Sequence, residues 1–505
     1  MKKQLEKALM LITMILLVGS CSADFTDLRS ENSLCTECLP PGASPYEGIQ
    51  NGMYTKGWFD YNFKGMITQG DTYAGNVWAN DGEFRPFAEA SVLNDNAVLN
   101  DNWTGLLSVV NQANSLIQDL NADKDNVSEE AYSQGIGVSK FMRATAYFYL
   151  VRIWGPVPIY DENYSGVNAF RNLESDVYKF IELDLEDAAE RLTSEPKTGR
   201  IGKYSAMGML AKVKLNLKKY DEAANLCREV INSGKYDLLE EYGNLFNNPN
   251  FNNSIESLFS LQWTVNCDQW GTQNTEQAFI VPSGSGITGG GDGWGSYMPT
   301  TDLPGLYESG DKRRKPSLMI PGDVYPELLS KKGGYTFDEL PSQTALNFRK
   351  YIVGSAADGF NVCFMRTEQN TNMLRYADVL LMMAEAKLGA NVSTTDSEAL
   401  SAFNRVRSRA GLGSVNEITQ TSLFKERRIE FLLEGQYYFD LQRRNRPDAL
   451  AEIAAQERGF YGDNARTILN SIKVNPTDDY FSLPLPSKEI SVNINITADP
   501  VPFNF

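Results

Sequence analysis

Apolar residues recur at three- and four-residue spacing in segments on both sides of a long stretch that lacks this spacing. The segments with the pattern are 104–120, 131–154, 173–192, 203–217, 220–233, 374–389, 396–410 and 420–444. This spacing is typical of amphipathic helices, each of which must bury its apolar face against a partner. The chain is therefore predicted to be mostly α-helical.

The two patterns between 203 and 233 form a candidate helix pair, the second helix beginning at Asp221. Ala211, Ala223 and Cys227 fit the small-residue positions of a tetratricopeptide unit, where small side chains let paired helices approach closely. Several helix pairs in one chain predict a helical-repeat scaffold.

The stretch 236–365 has a different character, rich in Gly, Asn, Pro and Ser, with short β-like runs such as "SLFSLQW" and "AFIV". A long irregular segment within an otherwise regular fold is usually functional. The tail "FSLPLPSKEISVNINIT" is rich in proline, which predicts an extended closing strap.

The N-terminus combines a basic start, the apolar run "ALMLITMILLVGS" and a cysteine, Cys21, directly after that run. This arrangement predicts a secretory signal over 1–20, because the run is too short for a spanning helix. "VGSC" resembles the lipobox of bacterial lipoproteins, so Cys21 is predicted to be lipidated, with 21–50 as a tether. A single-pass membrane anchor is the alternative.

Charge and composition exclude several functions. The formal net charge of −17 argues against nucleic acid as a partner, because phosphate binding needs basic patches. The chain has no histidine, which excludes histidine-based catalytic triads and imidazole metal ligands. Cys35 and Cys38 lack the companion pair of a zinc site, which leaves a local disulfide or unpaired thiols.

A glycine-rich run contains a G-x-G-x-x-G match at Gly284, Gly286 and Gly289. A dinucleotide turn needs a helix directly after the third glycine, and the further glycines and Pro299 that follow exclude one. The run is therefore predicted to be a mobile loop that lifts Trp294 and Tyr297 toward solvent.

Three carboxylates, Glu426, Glu430 and Glu434, recur every four residues and are predicted to share one helix face. Two carboxylates suffice for glycoside hydrolysis, so catalysis is one hypothesis. The favoured alternative is structural ion pairing with arginines on neighbouring predicted helices, namely Arg375, Arg405, Arg407 and Arg409.

Five blocks of sequence in order carry a family resemblance: "FMRATAYFYLVRIWGPVPI", "LRYADVLLMMAEAK", "FNRVRSRAGL", "KERRIEFLLEGQYYFDLQR" and "LPLPSKEI". Together with the lipobox they resemble the SusD/RagB family of nutrient-binding surface lipoproteins of Bacteroidetes. Asp24 and Asp27 look like the acidic export signal of such lipoproteins. Gln436 departs from the pattern, since an arginine often stands there in the family.

The resemblance implies a mostly α fold, with a tetratricopeptide-like helix-pair scaffold and an irregular loop-rich lobe containing short strands. The implied regions are an N-terminal helical region at 51–235 and a C-terminal region at 236–505, with a ligand-binding lobe (236–365) and helices (374–444). It further implies a surface-exposed outer-membrane lipoprotein that delivers oligosaccharides to a SusC-like TonB-dependent transporter, without catalysis and without a cofactor. A peptide-binding or assembly subunit is the alternative, and a glycoside hydrolase is the least favoured class.

Sugar rings stack their C–H faces on aromatic side chains, and their hydroxyls bond amides and carboxylates. Aromatic residues outside the predicted helices are therefore the candidates for stacking: Trp78, Trp294, Trp270, Tyr297 and Tyr73. The candidate hydrogen-bonding residues are Asn76, Asn80 and Asp81. Asp71 with these three could supply oxygen ligands to Ca²⁺, but their spacing matches no strict pattern and no metal is predicted.

Overall fold

The computed structural model describes residues 45–289, 293–338, 342–463 and 465–505. The predicted leader 1–20, the lipidation site Cys21, Asp24, Asp27 and the pair Cys35 and Cys38 lie outside these residues. Among the described helices, none has the length and apolar character needed to cross a membrane.

Helices make up most of the regular structure. Their bounds are α1 Pro45–Gly52, α2 Arg85–Ala88, α3 Ala97–Ala122, α4 Glu129–Trp154, α5 Glu174–Arg191, α6 Lys203–Asn216, α7 Tyr220–Asn232, α8 Asn244–Asn247, α9 Glu276–Ile280, α10 Arg314–Ser317, α11 Tyr376–Leu388, α12 Ser397–Arg409, α13 Gln420–Glu430, α14 Tyr437–Arg443, α15 Arg446–Ala455 and α16 Ser487–Val492. Two π-helical turns, Tyr61–Gly65 and Thr68–Thr72, precede α2.

Successive helices pack as pairs, which confirms the predicted scaffold. Helix α4 packs on α3 and α5, α6 packs on α5 and α7, and α11 packs on α7 and α12. Ala211, Ala223 and Cys227 are fully buried where α6 meets α7, as close helix approach requires. Ser128 caps α4 by accepting a hydrogen bond from the amide of Ala131, and Gly155 ends the helix with a positive φ.

Short strands join distant parts of the chain in antiparallel pairs. They are β1 Val77–Ala79, β2 Ser257–Leu261, β3 Tyr297–Pro299, β4 Leu318–Met319, β5 Val324–Tyr325, β6 Tyr335–Thr336, β7 Asn347–Phe348, β8 Val362–Cys363, β9 Arg366–Thr367, β10 Thr371–Arg375, β11 Ser393–Thr394, β12 Ile418–Thr419, β13 Phe460–Tyr461 and β14 Leu469–Asn470. Two of these pairs, β1–β3 and β8–β9, frame the candidate site described below.

Two predictions from short runs are wrong. The run "AFIV", predicted to be β-like, lies mostly in α9, whose amide at Glu276 is held by the side chain of Asn274 at 2.9 Å. A short apolar run does not distinguish a buried strand from a buried helical turn. The tail is not extended throughout, because Ser487–Val492 form α16 directly after Pro486. The prolines of this tail precede the helix, so none of them interrupts its hydrogen bonds.

The predicted helix over 420–444 is broken between α13 and α14. Leu433 and Gly435 adopt positive φ there, and their amides donate to the carboxylate of Asp71 at 3.2 and 2.7 Å. Gly70 lies so close to Gly435 that a Cβ on Gly70 would stand 2.3 Å from the Cα of Gly435. The second π-helical turn, which contains Gly70 and Asp71, and the turn between α13 and α14 therefore determine each other's conformation.

The three carboxylates of the predicted row, Glu426, Glu430 and Glu434, form ion pairs inside the protein. Glu430 accepts hydrogen bonds from Arg313 and Arg375, both at 3.0 Å, and from Arg409. These cations hold the pKa of Glu430 well below its usual range despite burial. Arg313 and Arg407 bond Glu426, and Lys350 and Arg375 bond Glu434.

Ion pairing of the row is therefore confirmed, with two corrections. Glu434 lies in the turn after α13 instead of on its face. Arg405 does not join the network, because its guanidinium bonds Asp237 and the hydroxyl of Tyr376.

Candidate functional site

Two tryptophans of the irregular lobe expose their rings at the ends of one row of aromatic contacts. Trp270 and Trp294 are 52% and 44% exposed, although burial is the usual state of an indole in a folded protein. The ring of Trp270 lies 5.3 Å from Phe63, Phe63 lies 5.4 Å from Phe279, and Phe279 lies 4.8 Å from Trp294. We call these four residues the aromatic row.

Helix α9 holds the Trp294 end of the row. The amide of Trp294 donates to the carbonyl of Ala278 in α9 at 2.7 Å, and the amide of Ser296 donates to the carbonyl of Phe279 in the same helix at 2.7 Å. A Cβ on Gly293 would stand 2.1 Å from the carbonyl oxygen of Val281, so only glycine permits this approach. The glycine before Trp294 therefore has a packing role, where the sequence predicted flexibility.

Residues before and within the first π-helical turn support the Trp270 end. The ring edges of Trp270 meet Phe59 at 5.8 Å as well as Phe63, and Phe59 and Phe63 stack on each other at 5.4 Å. The guanidinium of Arg366 lies 5.0 Å from the centre of the Trp270 ring. These contacts cover one part of the indole and leave the rest open to solvent.

Polar side chains border the Trp294 end. Asn80 and Asp81 follow β1 and are exposed. The amide of Asn80 donates to the carbonyl of Ser296 at 3.2 Å, and the hydroxyl of Ser296 donates to the carboxylate of Asp81 at 2.5 Å. Two predicted hydrogen-bonding residues thus lie beside a predicted stacking residue.

Three other predicted stacking residues are buried, and the structure corrects their assignment. Trp78 is fully covered, with its ring stacked on Phe460 at 4.6 Å and its indole NH donating to Gln343 at 3.0 Å. Tyr297 is 1% exposed and bonds Thr68 at 3.0 Å, so the loop does not lift it toward solvent. Tyr73 stacks on Tyr480 at 4.5 Å in the core. Covered rings offer no free face to a sugar.

Asn76 is also internal, which separates it from the exposed Asn80 and Asp81. Its amide donates to Asp71 at 2.8 Å and its oxygen accepts from Arg428 at 2.8 Å. The oxygen-rich set considered for Ca²⁺ is thus divided between core and surface. Among the described residues, no group of three or more Cys, Asp or Glu side chains is placed to hold a metal ion.

Some residues of this surface were not predicted. Phe364, in the turn of the β8–β9 hairpin, is 56% exposed. Its neighbour Cys363 forms a disulfide with Cys267, close to Trp270 in sequence. Sequence spacing cannot reveal a pairing between cysteines 96 positions apart. The only sign of Phe364 in the sequence was its position as an aromatic residue next to a cysteine in the irregular lobe.

A buried acid lies at the start of α9. Glu276 is 1% exposed and accepts a hydrogen bond from the amide of Asn62 at 2.8 Å. Burial raises the pKa of its carboxyl to about 8, because desolvation disfavours the charged form. The neutral acid therefore predominates at pH 7.

Replacing Glu276 by glutamine is expected to stabilise the protein at neutral pH. The pKa of this acid is higher in the folded chain than the ordinary value of 4.5, so wild-type stability falls as pH rises from about 4.5 through about 8. Between pH 5 and pH 7 this acid should lower the free energy of unfolding by about 2 kcal/mol, and the variant should lack that decline. Urea unfolding at both pH values measures it.

The matched control for this prediction is Glu130→Gln, which changes an exposed acid in the first turn of α4. It should retain the wild-type pH dependence. If the free energy of unfolding of Glu276→Gln fell with rising pH in parallel with that of the wild type, the assigned protonation of Glu276 would be contradicted.

Comparison with known proteins agrees with this architecture of a helix-pair scaffold and a loop-rich lobe. A family model described as "SusD family" matches residues 255–501, and one described as "Starch-binding associating with outer membrane" matches 48–215. A SusD-like protein of Bacteroides ovatus is 32% identical, with the alignment covering 99% of this chain and 98% of that protein. The chain belongs to the SusD family.

Solved structures share the fold. A crystal structure with xylogluco-oligosaccharide superposes with a TM-score of 0.84 at 29% identity, covering 92% of this chain and all of that one. A laminarin-binding SusD-like protein superposes with a TM-score of 0.72 at 22% identity, covering 90% of this chain and 98% of that one. The mostly helical, SusD-like fold predicted from the sequence is thus confirmed.

Proposed function

We propose that this chain is a cell-surface glycan-binding lipoprotein that captures an oligosaccharide or polysaccharide and passes it to a SusC-like TonB-dependent transporter of the outer membrane. The observation that carries the proposal is the pair of exposed indoles, Trp270 and Trp294, at the ends of one aromatic row. A relative of similar fold solved with xylogluco-oligosaccharide supports a glycan as the ligand.

The chemistry of the surface suits a carbohydrate. Each exposed indole offers an apolar face to the C–H face of a pyranose ring. Asn80 and Asp81 beside Trp294, and Asp268 on the loop of Trp270, are exposed and can bond sugar hydroxyls. Two exposed indoles, each with polar groups nearby, suit a ligand longer than one sugar.

Burial of the carboxylate row supports the proposal of binding without cleavage. Glu426, Glu430 and Glu434 are at most 3% exposed and are committed to arginine and lysine partners. A glycosidase needs two carboxylates that reach the scissile bond from solvent-accessible positions. We therefore assign these three carboxylates a structural role.

Export to the cell surface is supported by two features. The leader that ends at Cys21 resembles a lipoprotein signal. The Cys267–Cys363 disulfide is typical of proteins that fold in an oxidising compartment. A lipid on Cys21 would then tether the protein to the membrane.

The ligand is expected to be an uncharged glycan. Lys64 and Arg366, the cations that contact the row, are already bonded within the protein, Lys64 to Glu83 and Arg366 to backbone carbonyls. Asp81 and Asp268 add negative charge. A xylogluco-oligosaccharide should therefore bind at least about tenfold more tightly than an oligogalacturonate of equal length, because unpaired like charges at an interface are costly.

Isothermal titration against a panel of neutral glycans, acidic glycans and mixed peptides tests the proposal. Saturable binding of a neutral glycan, with no new reducing ends released, is the expected result. Binding of peptides alone would favour the peptide-uptake alternative. Tighter binding of the acidic glycan would contradict the assignment of an uncharged ligand.

A further inference from the structure

The segment that carries Trp270 has no regular secondary structure of its own. We call residues 264–272 the Trp270 loop. Its ends are joined where the amide of Thr264 donates to the carbonyl of Thr272 at 2.8 Å. The side chain of Gln273 accepts from the amides of Gly271 and Thr272 at 3.0 and 3.1 Å. The outer part of the loop is exposed to solvent.

The β8–β9 hairpin holds the outer part of this loop through two side chains. Cys363 of β8 is disulfide-bonded to Cys267, with 5.6 Å between their Cα atoms. The guanidinium of Arg366 in β9 donates to the carbonyls of Asn266 and Cys267 at 3.2 Å and of Gln269 at 3.0 Å. The disulfide and the three hydrogen bonds of Arg366 thus restrain Asn266, Cys267 and Gln269 of the loop.

The hairpin is itself tied to the lobe. Thr367 and Asn274 exchange backbone hydrogen bonds of 2.9 and 3.0 Å. The same Arg366 that binds the loop carbonyls also lies against the Trp270 ring at 5.0 Å. The position of the indole therefore depends on the hairpin as well as on Phe59 and Phe63 beneath it.

We propose that the Cys267–Cys363 disulfide and Arg366 are positioning residues for glycan binding, which fix the Trp270 loop so that the indole is presented before the ligand arrives. The inference rests on the proposed function. A loop without these restraints would have to be ordered on binding, and that loss of conformational entropy weakens affinity.

Replacing both cysteines by serine should weaken neutral-glycan affinity roughly 3- to 10-fold, which corresponds to the cost of ordering about one mobile side chain. Amide hydrogen exchange over residues 264–272 should become faster, while exchange in α4 and α6 stays at the wild-type rate. Arg366→Met, which keeps the disulfide, should weaken binding by a smaller factor in the same direction. It also tests the proposal if the serine variant folds poorly.

A double-mutant cycle separates positioning from a general structural effect. With xylogluco-oligosaccharide as the probe, the two serine substitutions should cost a smaller factor in a Trp270→Ala background than in the wild type, because only Asp268 of the loop then remains to contact the ligand. In a Trp294→Ala background they should cost the same factor as in the wild type.

Equal losses in both backgrounds, or unchanged affinity in the serine and Arg366→Met variants, would overturn the positioning role while leaving glycan binding intact. Failure of the wild-type protein to bind any glycan on the panel would overturn the proposed function, and the positioning role with it. The two failures are thus distinguished by the wild-type titration.

Discussion

Glu430→Gln is expected to lower the free energy of unfolding by about 3–5 kcal/mol, the usual cost of removing one partner from a buried ion pair. Glu430 is fully buried and accepts hydrogen bonds from three guanidiniums, those of Arg313, Arg375 and Arg409. Glutamine keeps the shape but removes the charge, and its amide places a donor against cationic donors. Urea unfolding at pH 7 measures the loss.

The matched control is Glu398→Gln. Glu398 also pairs with two cations, Arg228 and Lys387, but its side chain is 39% exposed. Solvent screening limits such a pair to about 0–1 kcal/mol. Equal destabilisation by the two substitutions would contradict the importance assigned to burial.

The same carboxylate makes stability depend on pH in a stated direction. Its folded pKa is lowered, so its contribution is present above the ordinary value of 4.5 and is lost as pH falls toward the folded pKa. Wild type should therefore lose stability on acidification below about pH 4.5 more steeply than Glu430→Gln. Unfolding curves at pH 3 and pH 6 test this comparison.

The Trp270→Ala/Trp294→Ala double variant is expected to lose measurable glycan binding. Each exposed indole removed should cost about 1–3 kcal/mol, or roughly 5- to 150-fold in affinity, as for other stacking contacts. The losses should add if one ligand chain contacts both ends of the aromatic row. Isothermal titration of the single and double variants measures this.

Phe170→Ala is the control for an exposed aromatic ring outside the row. Phe170 is 43% exposed and lies in the segment that pairs with the C-terminal residues near Val501. Its removal should leave affinity unchanged. A double variant that binds like the wild type would show that the ligand contacts another surface, and one single variant that accounts for the whole loss would place the ligand at that end alone.

Helical periodicity predicted the scaffold closely, because each helix buries a stripe of side chains that is visible in the sequence. The pattern over 131–154 corresponds to α4, and 203–217 with 220–233 corresponds to α6 and α7. The prediction failed at 431–436, where the positive φ of Leu433 and Gly435 is stabilised by Asp71, more than 350 residues away. Periodicity reports local burial and contains no information about such a distant partner.

The composition and order of residues by themselves determined a mostly helical, histidine-free chain with SusD family motifs and with carboxylates suited to ion pairing. Tertiary structure alone decided which aromatic residues are exposed. Trp78 and Trp294 were equivalent candidates in the sequence, because both lie outside the predicted helices. In the structure Phe460 stacks on Trp78 and covers it, whereas Trp294 is open to solvent. Exposure of a loop side chain depends on which distant segments pack over it, and those contacts exist only once the whole chain has folded.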